Sequence, residues 1–169
     1  MIRLALIEDD ELVRNHLAAF FLRRDGLDCK IAAGSVEDFF VQAEKVEALD
    51  IVLTDIGLPG KTGIEAIPDI KKRFPEVSVV ILSVYVDSER IFKALCAGAV
   101  GYLQKDTAME EIHECVNIIS KGGSVMSPTI ARKVVDYFAP KRTYNEPLTA
   151  KEQQVIAAMV DGLSYKMIA

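Results

Sequence analysis

The sequence predicts an α/β fold in which five strands alternate with five helices around an open, doubly wound parallel sheet. Three observations support this prediction: short apolar segments of strand length, amphipathic stretches with helical spacing between them, and Gly or Pro at the junctions. Strands that are apolar throughout and alternate with helices are typical of parallel sheets covered on both faces. The predicted strands are residues 4–7, 29–32, 51–54, 77–82 and 101–103, and the predicted helices are about 11–24, 36–46, 63–74, 87–97 and 108–120.

Turn residues separate these elements in order along the chain. Gly26 follows the first helix, and Leu58-Pro59-Gly60 marks a loop after the third strand. Phe74-Pro75 stops the third helix, because proline has no N–H to continue helical hydrogen bonds. Gly98 ends the fourth helix and precedes the fifth strand, as expected of a glycine at a helix C-terminus.

The pattern changes from Lys121 onward. Gly122-Gly123 breaks the fifth helix, and Ser127-Pro128 opens a further helix that extends to about Phe138. The segment 139–147 is polar and bounded by prolines, which is typical of an interdomain linker. The regular alternation of strand and helix therefore ends near residue 121.

The residues after this linker predict the start of a second, helical domain. Thr149 and Glu152 have the spacing of a capping box, in which the two side chains satisfy free backbone N–H groups at a helix start. That helix ends at Gly162, and Ser164 can cap another helix, of which only about a turn and a half precedes Ala169. We therefore expect this second domain to be truncated.

Composition limits the classes of function. The chain has 169 residues, of which 50% are hydrophobic, enough for one sizeable core but short of two full domains. No apolar run approaches the ~20 residues of a membrane-spanning helix, and the N-terminus lacks a signal-peptide pattern, so we expect a cytoplasmic protein with no membrane partner. A net charge of −5 argues against a chain that coats nucleic acid.

Cysteine and histidine do not predict a metal cluster. Cys29, Cys96 and Cys115 are isolated within apolar patterns, so we expect buried thiols and no disulfide framework. His16 and His113 lie on predicted helices without a second ligand at metal-binding spacing, and we expect them at the surface or its boundary.

Polar residues follow four of the five predicted strands at their carboxyl ends. Glu8-Asp9-Asp10 follows the first strand, Asp55 the third, Ser83 the fourth and Lys105 the fifth. Because the carboxyl ends of parallel strands meet at one edge of a sheet, we expect these side chains to lie together. Each alone has an ordinary explanation as a helix cap, a turn residue or a solvated charge. Their coincidence favours a site.

The residue types at this edge suit phosphoryl transfer. Glu8, Asp9 and Asp55 repel one another, and a hard divalent cation such as Mg²⁺ relieves such repulsion. Asp55 is the candidate nucleophile, because an ionised carboxylate can form an aspartyl-phosphate without a general base. Lys105 offers a cation and Ser83 a hydroxyl to the phosphoryl oxygens.

Four motifs surround these residues: Leu6-Ile7-Glu8-Asp9-Asp10, Leu53-Thr54-Asp55-Ile56-Gly57-Leu58-Pro59-Gly60, Ile81-Leu82-Ser83, and Ala97-Gly98-Ala99-Val100-Gly101-Tyr102-Leu103-Gln104-Lys105. Together they resemble the receiver domain of two-component response regulators, over about residues 1–120. The resemblance implies a (βα)5 flavodoxin-like sheet with the strand order 2-1-3-4-5.

The resemblance also implies a role for each acidic residue. Asp55 is then the phosphoacceptor, Glu8 and Asp9 are the acidic pair around Mg²⁺, and the Gly57 carbonyl is a backbone ligand of the metal. The pair is Glu-Asp here, where Asp-Asp is commoner in the family, and Asp10 is expected at the start of the following helix.

The remaining residues of the resemblance belong to the switch. Ser83 is the switch hydroxyl, Lys105 is the phosphate-pairing lysine, and Tyr102 is expected to change rotamer when Asp55 is phosphorylated. Asp106 follows the lysine, where many receivers have a proline. Gly57 cannot orient a water molecule and Tyr85 shields the phosphoryl group, from which we hypothesise slow self-dephosphorylation.

A second resemblance covers the end of the chain. Leu148-Thr149-Ala150-Lys151-Glu152-Gln153-Gln154-Val155-Ile156 and Gly162-Leu163-Ser164-Tyr165-Lys166-Met167-Ile168-Ala169 resemble the opening of a LuxR-type helix-turn-helix, as in the NarL/FixJ family. The expected domains are a receiver at 1–121, a helix and linker at 122–147, and the start of a DNA-binding domain at 148–169. Because the recognition helix is expected beyond Ala169, we name no DNA-binding residue.

The two resemblances imply a response regulator that is not an enzyme, beyond self-phosphorylation and autodephosphorylation. A sensor histidine kinase phosphorylates Asp55 in a Mg²⁺-dependent reaction, which controls homodimerisation and the binding of promoter DNA. Two alternatives stay open. One is a stand-alone receiver that acts through protein contacts, with residues 121–169 as a helical arm. The other is a haloacid-dehalogenase-like phosphatase, although that family normally places its nucleophilic Asp after the first strand.

Overall fold

The computed structural model describes residues 1–139, in which strands and helices alternate along the chain. The strands are β1 (Ile2–Ile7), β2 (Leu27–Ala33), β3 (Ile51–Thr54), β4 (Ser78–Ser83), β5 (Gly101–Gln104) and β6 (Val125–Met126). The helices are α1 (Glu11–Leu22), α2 (Val36–Ala43), α3 (Gly63–Arg73), α4 (Ser88–Ala97), α5 (Met109–Ile119) and α6 (Pro128–Phe138).

The strands form one parallel sheet in the order β2-β1-β3-β4-β5-β6. The predicted order 2-1-3-4-5 is therefore confirmed, and β6 extends the sheet beyond β5. We did not predict β6, because it has only two residues, both half-buried, and offers no apolar run to the sequence pattern. It follows the glycine pair that ends α5.

Each face of the sheet is covered by its own layer of helices. Along β1, Ala5 and Ile7 contribute to a core shared with α2, α3, α4 and α6, whereas Leu4 and Leu6 contribute to a core shared with α1 and α5. This alternation follows from the two-residue period of a strand. Burying a Leu or Ile side chain contributes about 1.5–3 kcal/mol, so both layers hold the central strands in place.

Helix caps fix the loops at the carboxyl edge of the sheet. Asp10 is the N-cap of α1 and its carboxylate accepts hydrogen bonds from the backbone N–H groups of Leu12 and Val13, as predicted. Thr62 and Glu65 form a capping box at the start of α3. These caps determine where the chain turns after β1 and before α3.

The helix predicted from Ser127-Pro128 is present as α6, and it packs against α4. The rings of Phe92 and Tyr137 are stacked with their centroids 4.0 Å apart. The predicted linker from residue 140 onward, the Thr149 capping box and the helix-turn-helix segment lie outside the described residues.

The expectation of buried thiols is confirmed for Cys115, whereas Cys29 is half-buried. It is wrong for Cys96, which is exposed because it lies on the side of α4 away from the core residues Ile91 and Ala94. His16 is exposed and His113 half-buried, as expected. Among the described helices, none is long and apolar enough to span a membrane.

Candidate functional site

Four neighbouring strands bring the predicted site residues to one edge of the sheet. Glu8 and Asp55 come directly after β1 and β3, Ser83 is the last residue of β4, and Lys105 follows β5. Backbone hydrogen bonds continue past the strand ends, from the Asp55 N–H to the Ile7 carbonyl at 3.0 Å and from the Lys105 N–H to the Ser83 carbonyl at 3.2 Å. The sheet itself therefore positions these side chains.

The two oxygens of the Asp55 carboxylate have different environments. Oδ1 accepts a hydrogen bond from the Ser83 hydroxyl at 2.5 Å and another from the Ile56 N–H at 2.6 Å. Oδ2 lies 2.9 Å from Lys105 Nζ. Asp55 is only 5% exposed, so the side chain is held in one orientation with Oδ2 facing the ammonium group.

Lys105 contacts two carboxylates at once. Its Nζ lies 2.7 Å from Glu8 Oε2 as well as 2.9 Å from Asp55 Oδ2. Burial raises the pKa of Glu8, and the opposing effect of Lys105 does not cancel it. Burial lowers the pKa of Lys105, but the hydrogen bonds and charges of Glu8 and Asp55 outweigh it, so that this pKa is raised overall. Lys105 is thus a cation at neutral pH.

The acidic residues are placed so that they could share a metal ion. Glu8, Asp9 and Asp55 can each offer one carboxylate oxygen, and these atoms lie within 4.8 Å of one another. Glu8 and Asp55 are buried whereas Asp9 is exposed, so the cluster has one side open to solvent. Oxygen donors of this kind fit a hard divalent cation.

The comparison with known proteins agrees with this arrangement. Residues 4–117 match the response regulator receiver domain family. The chain belongs to the response regulator family. Two transcriptional regulatory proteins of Bacillus subtilis (strain 168) are similar over nearly all of it: YxjL is 32% identical over 99% of this chain and 79% of its own length, and LnrK is 32% identical over 100% and 81%.

A solved structure supports the fold. The crystal structure of a LuxR-family two-component response regulator from Aurantimonas sp. SI85-9A1 is 29% identical and covers 80% of this chain and 96% of that one, with a TM-score of 0.73. The protein is therefore a two-component response regulator with a receiver domain, similar to transcriptional regulators. It matches the flavodoxin-like receiver fold that the sequence predicted.

Two further residues of this response regulator shape the site, and the sequence did not single them out. Arg14 Nη1 donates hydrogen bonds to the carbonyls of Glu8 at 2.6 Å and Asp9 at 3.2 Å, which holds the acidic loop against α1. Gly63 begins α3 so close to the site that a Cβ there would lie 1.8 Å from the Asp55 carbonyl oxygen. A glycine directly after a helix cap was the available signal for this close approach.

Tyr102 and Tyr85 connect β5 of the response regulator to the loop after Ser83. Tyr102 is completely buried, and its hydroxyl donates a hydrogen bond to the Tyr85 carbonyl at 2.6 Å. Burial, with the nearby charges of Asp87 and Asp55, raises the pKa of Tyr102 well above its usual value, so the hydroxyl stays a donor. The predicted roles of Tyr102 in switching and of the Gly57 carbonyl as a metal ligand stay predictions.

Proposed function

We propose that this response regulator accepts a phosphoryl group on Asp55 from a sensor histidine kinase and thereby controls transcription. The observation that carries the proposal is the contact of the Asp55 carboxylate with both Lys105 and Ser83, at 2.9 Å and 2.5 Å. Family membership supports a signalling role in preference to an enzymatic one. The kinase and its phosphohistidine are the donor that two-component chemistry requires.

In the proposed reaction, an oxygen of the ionised Asp55 carboxylate attacks phosphorus. A P–O bond to Asp55 forms while the bond between phosphorus and the donor nitrogen breaks, and the electron pair of that bond stays on the donor imidazole. Oδ2 is the attacking atom, because Oδ1 is occupied by the hydrogen bonds from Ser83 and Ile56. No side chain needs to remove a proton from the nucleophile.

Lys105 and the acidic residues have separate tasks in this proposal. The Lys105 ammonium moves from the carboxylate oxygen to a phosphoryl oxygen as negative charge accumulates there. Glu8, Asp9 and Asp55, with the Gly57 carbonyl as a proposed fourth ligand, would hold Mg²⁺. When bound, that ion supplies positive charge beside the transferring phosphoryl group.

The hydrogen bonds at the site offer a path from phosphorylation to the surface. In the proposed phosphorylated state, Ser83 donates to a phosphoryl oxygen and no longer to Asp55 Oδ1. Its displacement moves the loop that follows β4, whose Tyr85 carbonyl is bonded to Tyr102. The phosphoryl group shifts the population between two arrangements of this loop, because it binds one of them more strongly than the other.

The proposed output is phosphorylation-dependent homodimerisation and binding of promoter DNA. It rests on the similarity to transcriptional regulatory proteins over 99% of the chain and on the resemblance of the sequence at 148–169 to the opening of a LuxR-type helix-turn-helix. Paired DNA-binding domains engage two half-sites, so a dimer is the form expected to bind.

Intact mass spectrometry after incubation with acetyl phosphate and Mg²⁺ tests the first step. We expect the wild-type protein to gain ~80 Da, the mass of one phosphoryl group. Asp55→Asn should not gain this mass, whereas Asp136→Asn, the same change at an exposed position of α6, should gain it as the wild type does. Equal loading of Asp55→Asn and wild type would overturn the assignment of Asp55.

A further inference from the structure

Arg90, on the first turn of α4, lies against a tyrosine of the candidate site. Its guanidinium carbon is 4.2 Å from the centre of the Tyr85 ring, a cation–π distance. Asp87 fixes the guanidinium, since Arg90 Nη1 donates to Asp87 Oδ2 at 2.8 Å. Asp87 is also the N-cap of α4 and accepts the Arg90 backbone N–H at 3.0 Å. The arginine is therefore held at both its backbone and its head group.

The Tyr85 ring also approaches the loop that follows β3. A Cβ added to Gly57 would lie 3.4 Å from Tyr85 Cε2 and 3.7 Å from its hydroxyl oxygen, and 3.6 Å from Asp55 Oδ2. The ring and Asp55 Oδ2, the oxygen that also contacts Lys105, thus approach the same point above Gly57. Because Gly57 has no side chain, this space is left to the tyrosine.

Tyr85 is held at two places. Tyr102 binds its backbone carbonyl at 2.6 Å, and Arg90 contacts its ring. The Tyr85 residue is 38% exposed, so the backbone contact alone leaves the side chain free to rotate toward solvent. The guanidinium of Arg90 adds a second contact, made with the ring itself where it lies over Gly57.

We propose that Arg90 is a positioning residue that keeps the Tyr85 ring over the phosphorylated Asp55 and thereby slows hydrolysis of the phosphoryl group. This inference rests on the proposed function. In hydrolysis, a water oxygen forms a bond to phosphorus from the side opposite Asp55, the P–O bond to Asp55 breaks, and the carboxylate leaves with the bonding electrons while the water proton passes to solvent. A ring above Gly57 occupies part of the space that the water needs.

The test compares loss of the phosphoryl group among loaded proteins. Wild type, Arg90→Met, Arg90→Lys and Lys93→Met are loaded with acetyl phosphate, transferred to Mg²⁺ buffer without donor, and followed by intact mass. Methionine keeps the helix and the N–H bonded to Asp87 but removes the charge. Lys93→Met removes a cation from the same helix, one whose ammonium pairs with Glu89 at 2.6 Å.

We expect Arg90→Met to lose its phosphoryl group about two- to fivefold faster than wild type, the factor that corresponds to one partly exposed cation–π contact. Arg90→Lys should lose the phosphoryl group at a rate between those of Arg90→Met and wild type. Lys93→Met should lose it at the wild-type rate. In a Tyr85→Leu background, Arg90→Met should add no further acceleration, because the ring on which Arg90 acts is gone.

Three results would overturn the role of Arg90: a wild-type decay rate for Arg90→Met, an equal acceleration by Lys93→Met, or an undiminished effect in the Tyr85→Leu background. These results concern proteins that have all been loaded, so they leave the proposed function intact. Failure of the wild-type protein to take up a phosphoryl group would instead overturn the proposed function, and the inference with it.

Discussion

Lys105 Nζ lies 2.9 Å from Asp55 Oδ2, although the two residues come from different strand ends and are separated along the chain by α3, β4, α4 and β5. The same ammonium group contacts Glu8 at 2.7 Å. Both carboxylates are nearly buried, so their negative charges are weakly screened by water. The cation is therefore central to the charge balance of the site and, in the proposed reaction, to the stabilisation of an incoming phosphoryl group.

Replacing Lys105 with methionine should lower the initial rate of phosphoryl uptake from acetyl phosphate by about tenfold or more, because the charge that develops on the phosphoryl oxygens loses its protein cation. The rate is measured by intact mass at fixed Mg²⁺ concentration. Lys61→Met, which removes a surface cation paired with Asp69, serves as the control and should leave the rate unchanged. Equal rates for Lys105→Met and wild type would contradict the role of Lys105.

Ser83→Ala removes the hydroxyl that donates to Asp55 Oδ1 at 2.5 Å. We expect phosphoryl uptake to continue, since the nucleophile is intact, but about two- to tenfold more slowly, as for the loss of one hydrogen bond. Ser83→Thr retains the hydroxyl and should be closer to wild type in the same assay. If the threonine variant, shown to be folded by its thermal transition, is as slow as the alanine variant, the hydroxyl is not the relevant group.

Gly63→Ala should destabilise the protein by about 1–3 kcal/mol or more, because its methyl group would overlap the Asp55 carbonyl oxygen, 1.8 Å away. Either α3 or the loop between β3 and α3 must shift. The measurement is urea unfolding at neutral pH, and Gly34→Ala is the matched control, since its nearest neighbour is the flexible end of Arg14 at 3.4 Å. Unfolding free energies that are equal for the two variants would show that the site tolerates the methyl group.

The Arg3–Asp50 pair predicts a pH dependence of stability. Asp50 accepts hydrogen bonds from Arg3 Nε at 3.0 Å and from the Arg3 backbone N–H at 2.7 Å, which joins the start of β1 to the start of β3. The side-chain hydrogen bond from Arg3 is the main reason that the pKa of Asp50 is lowered. A lowered pKa stabilises the fold above the unfolded-state value of about 3.9, and this contribution is lost as the pH falls through the folded-state value.

We therefore expect Asp50→Asn to lower the unfolding free energy by about 1 kcal/mol at pH 7, after allowance for its partial exposure, with the difference from wild type shrinking below about pH 4. Urea unfolding across this range measures it. Asp136→Asn breaks the exposed Arg132–Asp136 pair on α6 and should change stability much less. A difference between Asp50→Asn and wild type that stays constant with pH would refute the assignment.

The sequence predicted the arrangement of the site better than its surroundings. Asp55, Ser83 and Lys105 could be placed together because each follows a recognisable apolar strand, and parallel strands align their carboxyl ends. The contact of Gly63 with the Asp55 carbonyl depends on how α3 approaches the sheet, and no local pattern encodes that distance. The bounds of α3 and β3 were predicted to within one residue, because amphipathic spacing up to Phe74-Pro75 marks the helix and an uninterrupted apolar run marks the strand.

Contacts between elements account for what the sequence could not predict. The stacking of Arg90 on Tyr85 joins the loop after β4 to the first turn of α4, and residue spacing alone gives no preference for this pair over other exposed cations. Likewise β6 is a strand only because β5 offers it a partner, since Val125 and Met126 form no apolar pattern of their own. Both the Arg90–Tyr85 contact and the formation of β6 depend on how separate elements pack together.

The most direct test of the central claim is to identify the residue that carries the phosphoryl group. Treating the loaded protein with borohydride reduces an acyl phosphate to an alcohol, which converts a phosphorylated aspartate into homoserine, and peptide sequencing by mass spectrometry then locates it. We expect homoserine at position 55 only when donor and Mg²⁺ were both present. Homoserine at Asp9 or Asp10 with an unmodified Asp55 would contradict it.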